Sequence, residues 1–357
     1  MVGRFQRIPT HAEALGTGIY NRHKKMSASR KILPLLITVD VCDGSYDRGD
    51  RKPRFNDLMD VLPELKSLLS KFMSAHSNSG ALPVTWFLRA DEQVKRATGS
   101  VTGLYTGWKN FWDDIAASYG EIGWHPHLFY EDKGKWVPGK DGKQLEELAR
   151  SAWKDIIKDK VAGWNPVTCR IGEAMCSNEL MRFLGEIGII ADSTAIPGRR
   201  RSDSDRHFDW EPTPETPYHP SQNDYRSPAR TDEAPLRILE IPFSVAEIRA
   251  PYDPPGTVVR RYLDLSYDPT EFEVGVAKSM TTASSLVTVI HPIQAAGLEI
   301  PDGGLVMGGY DVVAKNLDAI VRLSKEAGMS PVPIRMRDLA EIDRIRKPGN
   351  DFSLNPV

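Results

Sequence analysis

The sequence predicts an α/β protein built as a (β/α) barrel of seven or eight strands. From residue 32 onward, short apolar runs rich in β-branched residues alternate with longer segments of helical period, which is the pattern of βα units around a parallel sheet. The number of such runs favours a barrel over an open, doubly wound sheet. No Gly-x-Gly-x-x-Gly string follows the first run, so the dinucleotide-binding form of the open sheet lacks its usual sign.

The first βα unit shows this pattern most clearly. Residues 32–39 are an apolar run of strand length, and residues 58–72 carry an apolar stripe at three- and four-residue spacing. Further strands are predicted at residues 82–88, 121–129, 167–171, 189–193, 236–241, 286–290 and 332–334. Helices are predicted at residues 111–119, 145–157, 268–282 and 311–327, and also after Ser177, an N-cap, as far as Gly188.

The rest of the chain is predicted to form tails and loops. Residues 1–31 are predicted as an N-terminal extension, residues 32–345 as the barrel and residues 346–357 as a C-terminal tail. Residues 132–144 are polar and rich in Gly and Lys, which is typical of a loop. Residues 197–235 contain many prolines and aromatic residues without a period, and we expect an insertion that covers substrate or contacts a second copy of the chain.

Composition excludes several classes of partner. With 46 Lys and Arg against 48 Asp and Glu, the chain lacks the basic excess of a nucleic-acid-binding protein. No run approaches the ~20 apolar residues that cross a bilayer, and the first residues lack the apolar stretch of a signal peptide. Three cysteines without a Cys-x-x-Cys pair indicate neither a disulfide framework nor a structural zinc site. We therefore expect a cytoplasmic protein with a small or neutral partner, which could form a homo-oligomer.

Polar residues follow the predicted strands where each strand ends. In a parallel barrel the C-terminal strand ends share one face, so these side chains should converge there. They are Asp40, Asp43, Arg89, Asp91, His125, His127, Cys169, Arg170, Asp192 and His291.

His125 and His127 are the candidate metal ligands in this set. Residues two apart in an extended chain point to the same side, so both imidazoles can face one ion. Two histidines and one carboxylate form a usual catalytic zinc set that leaves a position open for water. An isolated His-x-His is more often an accident of surface or core, and the acidic residues after the first strand are what favour a metal here.

Asp40 and Asp43 are the candidate carboxylates. Asp43 precedes Gly44, which is also good turn chemistry. Asp40 ends a run of mostly apolar residues, where a buried carboxylate is costly unless it is ion-paired, metal-bound or catalytic. Asp40 is therefore the stronger functional candidate, and which of the two would bind a metal stays open.

Three further strand-end residues have a functional and a structural interpretation. Arg170 could hold a buried catalytic carboxylate in its ionised form, or form a surface salt bridge. Asp192 could orient Arg170, or cap the segment that follows it. His291 could be a general acid for a leaving group, or a core histidine whose hydrogen bonds are satisfied.

The order of these strings resembles the polysaccharide deacetylases, the NodB-like carbohydrate esterases. The first string, T-V-D-V-C-D-G at residues 38–44, is similar to the Thr-Phe-Asp-Asp-Gly motif of that family. Residues 82–88 are similar to its second strand and residues 120–125 to its histidine motif. Residues 169–172 with 178–180 are similar to its third motif, residues 189–193 to its fourth and residues 290–292 to its last. The resemblance lies in the order of the strings and extends over nearly the whole chain.

The resemblance implies a distorted (β/α) barrel that binds a divalent metal, above all zinc, and hydrolyses an N-acetyl or similar acyl group from a sugar. In that scheme Asp40 is the general base, and Arg170 tunes it with help from Asp192. His291 then protonates the leaving amine.

The metal ligands in this scheme are Asp43, His125 and His127. Two departures from the family pattern affect them, because Phe129 stands at the position of its usual second histidine and Val41 at that of its usual second aspartate. We therefore expect a rearranged metal site. Candidate substrate-binding residues are Arg89 and the aromatic residues Trp124 and Trp210, whose faces could stack on sugar rings.

Two alternatives compete with the deacetylase. One is a metal-free glycoside hydrolase on a similar barrel, with Asp40 and Glu173 as its two carboxylates. The other is a non-catalytic carbohydrate-binding protein that kept the fold and lost the metal, which the altered first motif permits.

Overall fold

The structure, a computed structural model, describes residues 31–42, 55–77, 80–159, 164–203, 206–250, 256–298 and 308–345. The strands within them are β1 (Lys31–Val41), β2 (Thr85–Leu88), β3 (Glu121–Trp124), β4 (Phe129–Asp132), β5 (Lys135–Pro138), β6 (Thr168–Cys169), β7 (Ala191–Asp192), β8 (Arg200–Ser202), β9 (His207–Asp209), β10 (Leu239–Glu240), β11 (Val245–Ile248), β12 (Val259–Asp264), β13 (Leu286–Ile290) and β14 (Met329–Pro333). The helices are α1 (Phe55–Ser77), α2 (Glu92–Thr98), α3 (Gly103–Gly107), α4 (Lys109–Ala117), α5 (Gly142–Asp159), α6 (Asn178–Glu186), α7 (Pro269–Thr282), α8 (Pro292–Ala295), α9 (Gly309–Glu326) and α10 (Met336–Ile345).

A curled sheet of ten strands forms the wall of the barrel in the described residues. Neighbouring strands follow the order β10, β7, β6, β3, β2, β1, β13, β12 and β11, and β14 pairs with the first part of β1. All pairs are parallel except β11 with β12. Residues 241–244 alone connect β10 to β11, a link that spans at most about 17 Å, so the two ends of the sheet lie close together. The predicted (β/α) barrel is confirmed, with one antiparallel edge strand that the pattern did not indicate.

Strand β1 is the central strand of this sheet. It pairs with β2 on one side and with β13 on the other, its first residues also pair with β14, and every residue after Ile32 in it is buried. A strand that is covered on both faces has a continuous apolar sequence instead of an alternating one. Asp40 therefore lies in the interior, near the C-terminal end of this buried central strand.

The helices pack outside the sheet on the faces that the sequence indicated. The stripe of α1 is confirmed, because Leu58, Leu62, Leu65 and Leu69 are all fully buried. Ser177 caps α6 as predicted, since its hydroxyl accepts the N–H of Leu180. Of the helices in the described part of the chain, none combines the length and hydrophobicity that a membrane crossing requires.

Helix α10 closes the N-terminal end of the barrel. Its first two N–H groups donate to side chains of the inner wall, Met336 to the Thr85 hydroxyl at 3.0 Å and Arg337 to the Glu121 carboxylate at 3.1 Å. Glu121 also accepts the hydroxyls of Thr85 and Thr168, and burial raises its pKa. The side chains that follow the C-terminal strand ends lie at the other end of the barrel.

Residues 121–144 differ from the sequence prediction in two places. The predicted strand at residues 121–129 ends at Trp124, because Pro126 has no N–H to continue the ladder. Part of the predicted loop at residues 132–144 is instead the antiparallel hairpin of β4 and β5, with Glu131 opposite Trp136.

The predicted insertion at residues 197–235 is packed against the barrel over its described residues. It contains the hairpin of β8 and β9, and Tyr218 pairs with Glu240 of β10 by backbone hydrogen bonds. Asn178 at the start of α6 donates to the carbonyl of Asn223 and accepts from the N–H of Tyr225. These contacts fix the insertion beside β10 and the start of α6.

Candidate active site and metal cluster

Asp40 and Arg170 form a buried ion pair at the centre of the C-terminal end of the barrel. The guanidinium Nη1 donates to Asp40 Oδ1 at 2.7 Å, and both side chains are almost fully buried. Burial by itself raises the pKa of Asp40, but the charge of Arg170, with His125 and His291 nearby, outweighs it and lowers this pKa below its ordinary value. Asp40 is therefore a buried carboxylate that stays ionised at neutral pH.

Arg170 is held from several sides. Its Nε donates to the carbonyl of Ser193 at 2.8 Å, its Nη2 to the Ser193 hydroxyl at 2.9 Å, and its Nη1 also to Thr38. The rings of Phe87 and Phe243 stack on its carbon Cζ, with centroids 4.4 and 4.1 Å away. The guanidinium has little freedom to turn away from Asp40.

Asp192, which we expected to orient Arg170, acts on the adjacent turn. Its carboxylate accepts the N–H and the hydroxyl of Thr194, and the same hydroxyl accepts the N–H of Ile171. Ser193, between Asp192 and Thr194, makes the direct contacts with Arg170. Asp192 therefore supports Arg170 through the turn at residues 192–195.

His291 faces Asp40 from β13 and is held by a carboxylate that we did not predict. Its Nδ1 lies 2.7 Å from Asp264 Oδ2, and its Nε2 lies 3.8 Å from Asp40 Oδ2. Burial lowers the pKa of His291, but the hydrogen bond and charge of Asp264, together with the charge of Asp40, raise it above its ordinary value. The imidazole is therefore oriented with Nε2 toward Asp40 and favours the protonated form.

His125, His127 and Cys42 form a buried cluster beside this pair. One donor atom from each, two imidazole nitrogens and the thiol sulfur, lies within 4.8 Å of the others. The Nδ1 of His125 lies 2.7 Å from the carbonyl oxygen of Arg170, and because a carbonyl only accepts, Nδ1 carries the proton. Burial lowers the pKa of His125 to about 3, so its ring is neutral, and the lone pair on its Nε2 accepts a hydrogen bond from Nε2 of His127 at 3.1 Å.

These three donors fit a divalent metal. A thiolate with two imidazoles is a donor set typical of zinc, and ligand atoms around one zinc ion stand roughly 3.4 Å apart given usual bond lengths. The cluster thus needs an adjustment of about an ångström to hold an ion. A histidine that binds a metal usually donates its other ring N–H to a second protein group, and the carbonyl of Arg170 is such a group for His125. The predicted ligand Asp43 lies outside the described residues.

The ring of His127 packs directly against the backbone of Gly172. A β-carbon at Gly172 would lie 2.2 Å from Cδ2 of His127, so a larger residue does not fit there without a shift. The next two residues, Glu173 and Ala174, have left-handed backbone with φ of 58° and 57°, which is strained for residues other than glycine. Trp210 holds this turn, since its indole N–H donates to the carbonyl of Ala174 at 2.9 Å.

The three candidate substrate-binding residues are all buried. Arg89 pairs with Asp91, whose carboxylate also accepts the N–H of His127. Trp124 donates its indole N–H to the carbonyl of Ala90, and Trp210 supports the Gly172–Ala174 turn. In this conformation none of the three presents a surface to a sugar, and each supports the backbone around the site.

Comparison with known proteins supports the fold. No protein-family model and no curated protein sequence matches the chain. A candidate glycoside hydrolase/deacetylase from Parabacteroides distasonis has a similar structure, with a TM-score of 0.58 and 14% sequence identity over 91% of this chain and 75% of that one.

Two candidate polysaccharide deacetylases are more distant. The one from Mycobacterium smegmatis has a TM-score of 0.47 at 16% identity, covering 90% of this chain and 93% of its own. The one from Bordetella bronchiseptica, described as involved in O-antigen biosynthesis, has a TM-score of 0.34 at 13% identity, covering 87% and 90%. Scores this low add no support of their own. The chain therefore shares its fold with the Parabacteroides protein, and the predicted resemblance to the polysaccharide deacetylases is confirmed at the level of the fold.

Proposed function

We propose that the chain is a metal-dependent hydrolase that removes an N-acetyl or similar acyl group from a sugar. The observation that carries this proposal is that an ionised carboxylate, a protonatable histidine and a cluster of three potential metal donors lie together at one end of the barrel. Arg170 joins the parts, because its guanidinium binds Asp40 while its carbonyl binds His125. The barrel of the Parabacteroides candidate glycoside hydrolase/deacetylase is consistent with that chemistry.

Cys42, His125 and His127 are the residues that would hold the metal. A divalent ion there, above all zinc, would polarise the acyl carbonyl and lower the pKa of a water molecule. The chain itself presents three buried donors. The Arg170 carbonyl fixes the ring of His125, and Asp91 fixes the backbone of His127.

Asp40 is the proposed general base. Arg170 occupies its Oδ1, which leaves Oδ2 to accept the proton of the attacking water. Because Oδ2 and the Nε2 of His291 are 3.8 Å apart, too far for a hydrogen bond, a reacting group between them can give a proton to one and take a proton from the other.

His291 is the proposed general acid. Asp264 holds its Nδ1, so the proton on Nε2 is the one that faces the site. When the carbon–nitrogen bond of the amide breaks, this proton passes to the departing nitrogen, and the products are acetate and a free amine. The raised pKa of His291 favours its protonated form for that step.

The competing proposal is a metal-free glycoside hydrolase that uses Asp40 and Glu173. In the structure the carboxylate of Glu173 forms an ion pair with Arg206 of the insertion. Metal-independent cleavage of a glycosidic bond would favour this alternative, and a metal-free chain that binds a sugar without turnover would favour the carbohydrate-binding protein.

Metal content tests the proposed function. Elemental analysis of the purified protein should find about one zinc-like ion per chain, and the double variant His125→Ala with His127→Ala should retain less than about a tenth of it. The matched control is His207→Ala, because that histidine is exposed on β9. The wild type should release acetate from an N-acetylated sugar. A wild type that holds no metal and gains none from added zinc or cobalt would contradict the proposal.

The third ligand can be identified by cobalt. Cobalt(II) bound to a thiolate absorbs in the near ultraviolet by sulfur-to-metal charge transfer, so the cobalt-loaded wild type should show this band and Cys42→Ser should not. Cys176→Ser is the matched control, and Asp43→Asn should keep the band. If Asp43→Asn instead loses the metal while Cys42→Ser binds it normally, the carboxylate is the ligand.

A further inference from the structure

Two acidic residues lie side by side behind Arg170. Asp192 of β7 and Glu240 of β10 are directly opposite in the parallel pairing, so their side chains project to the same side. Both are fully buried. Two carboxylates at this spacing in a dry interior cannot both be charged unless cations compensate them.

The groups around the pair supply one positive charge. The ionisable side chains that act most strongly on it in the described structure are Arg170, Cys169, Cys176 and Tyr218. Burial raises the pKa of both thiols and of the phenol, so these three are neutral. The charge of Arg170 is already matched by Asp40, to which it is directly bonded. Charge balance therefore requires a proton on the pair.

The hydrogen bonds indicate which residue carries that proton. Glu240 accepts the N–H of Ala195 at 3.0 Å with Oε1, whereas its buried Oε2 has no donor to accept from among the described residues. Asp192 already accepts two hydrogen bonds from Thr194. An O–H at Oε2 would satisfy both sides, because it would donate to Asp192. Burial raises the pKa of Glu240 well above its ordinary value, and the charge of Asp192 raises it further.

We propose that Glu240 is a neutral carboxylic acid in the folded protein, that it donates a hydrogen bond to Asp192, and that this pair positions Arg170. The pair holds the turn at residues 192–195, because Asp192 binds Thr194 and Glu240 binds Ala195. Ser193, within this turn, binds the guanidinium through its carbonyl and its hydroxyl. Glu240 is thus a positioning residue for Asp40, and this last part rests on the proposed function.

Glu240→Gln is the sharpest test, because a glutamine amide reproduces the neutral acid. Its oxygen can accept from Ala195 and its N–H₂ can donate to Asp192. Infrared spectra of the wild type at pH 7 should contain the C=O band of a protonated carboxyl group, and Glu240→Gln should lose the intensity of one carboxyl per chain. Glu247→Gln, an exposed glutamate on β11, should lose none.

The pH dependence of stability gives a second readout. The unfolded chain releases the proton of Glu240 near its ordinary pKa of 4.5, whereas the folded protein keeps it to higher pH. Above pH 4.5 the wild type therefore loses stability relative to Glu240→Gln. The ratio of the wild-type unfolding constant to that of the variant should rise about tenfold per pH unit until the folded-state pKa of Glu240 is reached. Parallel stability curves together with an unchanged infrared band would overturn the proposal.

Activity tests the positioning role. Glu240→Gln should keep kcat within about twofold of the wild type, while Glu240→Ala, which leaves Asp192 without its donor, should lower kcat more than tenfold. Equal losses in both variants would exclude positioning by the neutral acid. The infrared and stability measurements need no substrate, so they decide the protonation state even if the chain proves to have no deacetylase activity.

Discussion

Replacing Asp40 by asparagine is expected to lower kcat for acetate release on the order of 10²–10⁴-fold, the usual contribution of a general base. The amide oxygen can still accept from Arg170, so the protein should fold, but it cannot take a proton from water. Metal content should stay at the wild-type level, because the proposed donors are Cys42, His125 and His127. Acetate release and elemental analysis on the same preparation measure both effects.

Asp113→Asn is the matched control for this variant. Asp113 lies on the exposed face of α4 and pairs with Lys109 four residues before it, so its substitution should leave kcat unchanged. Full activity of Asp40→Asn would remove Asp40 as the base. Loss of metal in that variant would instead make Asp40 a ligand, the alternative that the sequence left open.

Arg170→Met is expected to reduce the free energy of unfolding by about 3–5 kcal/mol, because it removes the guanidinium that is hydrogen-bonded to the buried carboxylate of Asp40. Methionine can fill part of the space between Phe87 and Phe243, so lost charge and not lost volume dominates. Adding Asp40→Asn to Arg170→Met should recover part of the loss. Urea denaturation of the four proteins of this cycle measures the coupling.

Arg150→Met shows what a similar pair at the surface, with both residues half-buried, contributes. Arg150 also stacks on a phenylalanine, Phe183, with its Cζ 4.3 Å from the ring centroid, and it pairs with Glu146 on α5. Its guanidinium is partly exposed to solvent, so this substitution should cost much less stability than Arg170→Met. If Arg170→Met costs no more than Arg150→Met, the central pair contributes nothing special to the fold.

Much of the barrel could be predicted because its strands are buried on both faces. The apolar runs of β1 and β13 stand out for that reason, and β13 has the predicted limits. The run in β12 is interrupted by Arg260 and Arg261, and it was missed. Arg260 is satisfied by the carbonyl of Pro197 and the carboxylate of Glu215, which are distant in sequence and could not be inferred locally.

The hairpin of β4 and β5 was missed for a different reason. Its residues are polar because most of them are exposed or half-buried, and polarity was taken to indicate a loop. A local signal was present in the sequence, where the polar residue Lys133 is followed by Gly134 between two runs of four residues. In the structure these two residues have φ of 51° and 79°, as the two central residues of a tight hairpin turn do.

The site residues that sequence analysis found stand directly at the ends of predicted strands. Three others, Cys42, Asp264 and Glu240, were missed, each for a different reason. Cys42 is two residues after Asp40, the same spacing that drew attention to the two histidines, but only carboxylates were considered there. Asp264 ends β12, a strand that was not predicted. Glu240 lies within a predicted apolar run, and the cost of burying a carboxylate, which singled out Asp40, applies to it equally.

The contact between Gly172 and His127 makes two separate stretches of sequence depend on each other. The imidazole of His127 takes the volume that any β-carbon at residue 172 would need. A histidine two residues after His125 and a glycine two residues after Arg170 must therefore occur together. A change at either position alone would create a clash or leave a void. His-x-His followed by Arg-x-Gly is thus a paired signature, and it can be used to recognise other chains that share this arrangement among barrels with a differently spaced second histidine.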